Sequence, residues 1–114
     1  YYDFLRKLST LNWNLAIAPL IDDDWNRCKA PTKFIEYTMS QIPVVASDME
    51  VYRSIDQGTG SIKFVEDDDW YKALNDCIQN PNERDILREN ALKLCQEEYN
   101  LDVLSKQVLD VLHL

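Results

Sequence analysis

Two short, unbroken apolar runs constrain this 114-residue chain most: Leu15-Ala16-Ile17-Ala18-Pro19-Leu20 and Ile42-Pro43-Val44-Val45-Ala46. Neither alternates with polar residues, so neither suits a sheet with one wet face. Their length and continuity predict strands buried on both faces, as in a parallel sheet. Parallel neighbours need a crossover, usually a helix. The intervening segment supplies one over about 31–41. Phe34, Ile35, Thr38 and Met39 recur at helical spacing, and Pro31 suits the first helical position. A third, shorter strand is expected over 61–65, after the turn Gln57-Gly58-Thr59-Gly60.

Helical patterns fill the rest. The segment 2–11 has Phe4, Leu5, Leu8 and Leu11 on one side. Ser47-Asp48 is expected to cap a short helix over 50–55. Trp70, Ala73, Leu74, Cys77 and Ile78 mark the core side of another helix. Asn80-Pro81-Asn82-Glu83 reads as a cap, a Pro at the first position and a Glu at the third, opening a helix with Leu87, Ala91, Leu94 and Cys95 inward. A last helix over 102–112 is expected to bury Leu104, Val108, Val111 and Leu112. Strands alternating with helices give the α/β class. The expected architecture is a truncated Rossmann-like three-layer domain with a three-stranded parallel sheet and C-terminal helices, one domain over 1–114. Complete doubly wound domains usually have about five or six strands. With Tyr1-Tyr2 and no Met at the start, the expectation is a piece of a longer protein whose missing strands precede Tyr1.

Charge narrows the partners. Twelve Lys and Arg against twenty Asp and Glu give a net charge of −8 and a pI near 4.5. Such a surface repels nucleic-acid backbones and anionic membranes. No apolar run approaches the ~20 residues that span a bilayer. Cys28, Cys77 and Cys95 lie far apart with no C-x-x-C, which suggests neither a disulfide framework nor a zinc site. A cytoplasmic setting is expected. The single histidine, His113, leaves no His-based triad within the chain.

Ligands in open α/β sheets bind beyond the carboxyl ends of the strands. The loop after the first strand runs Ile21-Asp22-Asp23-Asp24-Trp25-Asn26-Arg27-Cys28-Lys29-Ala30-Pro31-Thr32-Lys33. From Arg27 to Lys33 it holds three cations and no acid, a local reversal of sign. It leads into a helix N-terminus, whose free N–H groups and dipole attract anions. Lys33, Glu36, Tyr37 and Ser40 share one helical face. Phosphate oxygens would meet Lys29, Lys33 and the amides near Thr32. One turn on, Glu36 offers two acceptor oxygens to a ribose diol. The plainer alternative is a surface Lys33–Glu36 ion pair worth about 0.2–0.5 kcal/mol.

Other groups have structural readings. Asp22-Asp23-Asp24 follows a strand, where acids can hold Mg²⁺ or accept a phosphoryl group as in receiver domains. A solvated acidic loop is the alternative. Glu66-Asp67-Asp68-Asp69 fits a cap and dipole complement. Trp13, Trp25 and Trp70 fit packing roles, with Trp25 the exception, since its loop can expose it near the ligand. Cys77 and Cys95 read as buried apolar groups. Cys28 lies between Arg27 and Lys29, which would favour its thiolate, but no His partner is at hand to make it a nucleophile.

The run Leu15-Ala-Ile-Ala-Pro-Leu, then Asn26-x-x-Lys29-x-Pro31-x-Lys33-x-x-Glu36-Tyr37, then Pro43-Val-Val-Ala-Ser47-Asp48 and Tyr52, resembles the C-terminal donor-binding half of GT-B glycosyltransferases, above all the retaining family four. Gly60 before Ile62 and Trp70 add to the resemblance, which spans about 13–99. It implies that Glu36 holds the ribose of a nucleotide sugar. It implies that Lys29 and Lys33 meet the diphosphate, beside the Thr32 amide already named, with Ser47 nearby and Arg27 and Tyr37 as possible pocket residues. The parent would move a sugar from a nucleoside diphosphate to an acceptor, a hexosyltransferase reaction, with no cofactor or metal. The acceptor-binding N-terminal domain is absent from this chain, so the isolated chain is expected to be inactive. Two departures stand out: Lys29 occupies the position of a second, sugar-contacting Glu, and Gln41-Ile42 replaces a customary Gly. Other classes are a non-catalytic interaction module, docking a partner domain through its sheet edge and C-terminal helix, and a receiver-like phosphoacceptor.

Overall fold

In a computed structural model that describes residues 2–112, β1 (Ala16–Ala18), β2 (Val44–Ser47) and β3 (Lys63–Val65) form one parallel sheet in the order β1-β2-β3. Ala16 pairs with Val44 and Ala18 with Ala46; across the other seam Ser47 pairs with Val65. Around the sheet run α1 (Tyr2–Thr10), α2 (Asp24–Arg27), α3 (Thr32–Met39), α4 (Glu50–Asp56), α5 (Trp70–Gln79), α6 (Pro81–Glu98) and α7 (Leu101–Leu112). The chain is therefore α/β with a three-stranded parallel sheet, as its pattern predicts.

Successive strand residues point to opposite faces, and β2 shows both faces filled. Val44 and Ala46 join Ala18, Phe34, Tyr52, Ile55, Ile62, Ala91 and Leu94 on one side. Val45 joins Val65, Ala73, Cys77 and Leu87 on the other. Helices α3, α4 and α6 supply the first cluster, and α5 with α6 the second. A third cluster of Leu8, Ala16 and Ile42 seats α1 against the sheet end.

β1 departs from the expectation of burial on both faces: Ile17 is 47% exposed. The register explains this. Ile17 pairs with Val45 and so shares its face, where α5 packs on β3 at the far side of the sheet. An edge strand is left uncovered there. The amphipathic stripes are likewise narrower than their periodicity suggests. Phe4, Leu11, Met39 and Ile78 are exposed. α7 follows α6 after a two-residue break, and its Val108, Val111 and Leu112 are exposed rather than buried. Helical spacing reports an apolar stripe; only a neighbouring element turns it into core. Leu104 and His113 lie outside the described side chains.

Several caps differ from their sequence reading. Met49, not Ser47 or Asp48, is the N-cap of α4, and no side chain caps that end. Asp48 instead pairs with Arg53. Asp69 caps α5 by accepting from the Lys72 N–H, while Asp67 and Asp68 take left-handed conformations. Pro81 opens α6 as expected, but Asn80 gives no side-chain cap to it and donates to the Asp76 carbonyl. The segment after β1 is not wholly loop. Asp23 accepts from the Asn26 N–H at 2.8 Å and starts α2, and the buried Asn26 donates to the Ile21 carbonyl.

One polar core group was not foreseen from sequence. Asp56, only 4% exposed, accepts from the Ser61 and Ile62 N–H groups at 2.7 and 3.0 Å. It satisfies the buried backbone that feeds β3.

Candidate functional site

The loops beyond the strand ends enclose two adjoining depressions that share Pro19 and Leu20. The larger, about 740 Å³, lies across the ends of all three strands and is lined by Asp22, Ser47, Asp48, Asp67, Asp68 and Trp70 among others. The smaller, about 470 Å³, lies between the end of β1 and the start of α3. Ile17, Pro19, Leu20, Lys29, Ala30, Thr32, Lys33, Tyr37 and Tyr52 line it. The two are opposite in sign. Among the described residues, four aspartates and no Lys or Arg face the larger cleft, whereas two lysines and no acid face the smaller pocket. Like charge disfavours a phosphate in the first; the lysines and the α3 N-terminus favour one in the second. A volume near 470 Å³ falls within the range of small-molecule sites.

Of the residues singled out from sequence, Lys29, Thr32, Lys33 and Tyr37 come together in this pocket. Glu36 is half-buried on α3, one turn beyond Lys33, and is not among the lining residues. Ser47 lines the acidic cleft rather than the cationic pocket, and its Oγ accepts from the Leu20 N–H at 2.8 Å. Arg27 lines neither. Its Nε donates to Asp22 at 2.7 Å and its guanidinium reaches Asp24 at 3.3 Å. The run of three cations thus delivers two to the pocket, because Asp22 just before α2 and Asp24 at its first position engage the third.

The acid run is structurally employed. The hydrogen bond from Arg27 holds the Asp22 carboxyl below its usual range and pushes the arginine up. Asp23 caps α2 and Asp24 completes the pair with Arg27. At the next strand end, the Arg53 guanidinium holds the Asp48 carboxyl down through two hydrogen bonds and stacks 3.8 Å over the Phe64 ring. Two of the four carboxylates in the acidic cleft are therefore already paired. Among the described residues, no group of three His, Cys, Asp or Glu side chains is placed to hold a metal ion.

The tryptophans divide. Trp70 packs against the Val45–Val65 cluster, whereas Trp13 is 49% exposed and does not pack as expected. Trp25, the loop exception, is 78% exposed but lines neither depression. Cys77 is buried and Cys95 half-buried, and burial pushes both thiols up; Cys28 is exposed.

Tyr52, which the resemblance included without a role of its own, also lines the pocket. The available signal was its spacing from Ile55 on α4, which marks the inward face; both residues are buried in the same cluster. Burial pushes its phenol up, so it remains a protonated donor at neutral pH.

Comparison with family models, curated proteins and solved structures returns no match. Among the described residues, no helix is long and apolar enough to cross a membrane.

Proposed function

We propose that this chain is the donor-binding part of a nucleotide-sugar glycosyltransferase, and that the pocket at the start of α3 holds the diphosphate of a nucleoside diphosphate sugar. The observation that carries the reading is the convergence of Lys29, Thr32 and Lys33 on one pocket without an acid in its lining. In a chain of net charge −8, two lysines in a lining without a carboxylate favour an anion there. Glu36, one turn along α3, would hold the ribose diol when the nucleoside lies along the helix. Its carboxylate outside the phosphate lining suits that division of labour, since a carboxylate beside a phosphate would repel it. The larger acidic cleft would receive the uncharged sugar, whose hydroxyls can donate to carboxylates. The sugar-transfer step would use the acceptor domain of a longer protein. Within it, the lysines and the α3 amides would stabilise the departing diphosphate electrostatically.

The test is a titration of the isolated chain with UDP, GDP and inorganic pyrophosphate, followed by amide shifts. Shifts centred on 29–36 are expected with all three. Glu36→Gln should weaken the nucleoside diphosphates several-fold and leave pyrophosphate binding unchanged, because pyrophosphate has no ribose. Equal loss for all three ligands would overturn the ribose assignment.

A docking module is the second reading, favoured by the exposed Val108, Val111 and Leu112 on α7 and Ile17 at the sheet edge. A folded chain that shows no shift with any of the three ligands would favour it.

A further inference from the structure

We propose that the Tyr52 hydroxyl is a ligand-binding donor, giving a hydrogen bond to a phosphate oxygen held by Lys29 and Lys33; this rests on the donor-site reading above. The ring is 4% exposed and packs in the cluster with Phe34 and Ile55. A phenol at that depth ordinarily finds a protein partner. Here the hydroxyl makes no hydrogen bond among the described residues. It is also not sealed in: the one buried side-chain oxygen among them cut off from both solvent and partners is Thr38 Oγ1. The hydroxyl therefore opens onto the pocket that Tyr52 lines.

The surroundings fix what it would meet. Lys29, Lys33 and the amides at the start of α3 are donors, the Tyr37 phenol can donate or accept but makes no hydrogen bond to Tyr52, and among the described residues no carboxylate lines the pocket. A protonated phenol among donors calls for a ligand rich in acceptors, and a diphosphate is one. Tyr52 differs from the lysines in carrying no charge. Its contribution is directional and short-ranged, while theirs is Coulombic and screened by salt.

That difference supplies the experiment. The probe is inorganic pyrophosphate, titrated calorimetrically at low and high salt against the wild-type chain, Tyr52→Phe and Lys33→Ala, with a thermal midpoint for each. Tyr52→Phe is expected to lower affinity about tenfold at both salt concentrations, with the same salt dependence as wild type. Its midpoint should not fall, because the hydroxyl has no protein partner to lose. Lys33→Ala should weaken binding and flatten the salt dependence. Wild-type affinity in Tyr52→Phe, with Lys33→Ala impaired, overturns the role of Tyr52 and leaves the donor site standing. Absence of pyrophosphate binding by the wild-type chain overturns both. A lowered midpoint in Tyr52→Phe would show that the hydroxyl serves packing and would also count against the proposal.

Discussion

The Leu20 N–H donates to Ser47 Oγ at 2.8 Å, tying the loop after β1 to the last residue of β2. Leu20 is shared by the acidic cleft and the cationic pocket. One hydroxyl thus sets the wall between them. Ser47→Ala leaves a half-buried N–H without its acceptor and should cost about 1 kcal/mol in a urea denaturation. Pyrophosphate affinity should drop only about two- to threefold, since Ser47 does not line the pocket. A loss far larger than the stability change would place Ser47 in contact with the ligand instead.

The Asp48–Arg53 pair should be visible in the pH dependence of stability. The folded-state pKa of Asp48 lies below its ordinary value, chiefly through the hydrogen bond from Arg53. A depressed carboxylate contributes stability that is fully present above the unfolded pKa, about 4, and is lost as pH falls through the folded pKa. The stability gap between wild type and Asp48→Asn should therefore be open at pH 7 and close in acid. Both side chains are about half exposed, at 49% and 48%. The gap should accordingly be small and shrink with added salt. A gap that stays constant from pH 7 to pH 2 would show that the pair's ionisation does not contribute to folding.

The strands and crossovers were readable because burial on both faces leaves an unmistakable apolar run, as in Val44-Val45-Ala46. The convergence of Lys29, Thr32 and Lys33 was readable for a similar reason: all three lie where a strand-end loop meets a helix start. What sequence did not reveal depended on which of several candidate partners, near or far along the chain, the fold brings into contact. Arg27 looked like a third pocket cation until Asp22 and Asp24 were placed around it. Val108 and Val111 looked like core until α7 was seen to leave them exposed. Tyr52 and Asp56 sit in plain helical text, yet one ends in the pocket and the other under the turn into β3. Periodicity specifies a face, and only tertiary packing decides what that face meets.

Asp56 is the clearest structural carboxylate in the fold. Its Oδ1 accepts from both Ser61 N–H and Ile62 N–H, at a site that is almost fully enclosed. Asp56→Ala would orphan two buried donors and should cost about 2–4 kcal/mol, measured by chemical denaturation. Asp56→Asn keeps an oxygen in the same place and should cost about 1 kcal/mol. Equal losses in the two variants would mean that the charge, and not the acceptor geometry, holds the turn into β3.

Thr38 offers the opposite case. It lies on α3 at 1% exposure, and its Oγ1 has no hydrogen-bond partner. A buried hydroxyl without a partner keeps its desolvation cost and gains nothing in return. Val has nearly the same shape, shares the β-branch and differs little in helix propensity. Thr38→Val should therefore raise stability by about 1 kcal/mol, seen as a higher urea midpoint with an unchanged slope. The side chain points into the core and does not line the pocket, so pyrophosphate affinity should stay at the wild-type value. A drop in stability would show that the hydroxyl does bond in solution, to the Phe34 carbonyl one turn back, and that the packing of α3 depends on it.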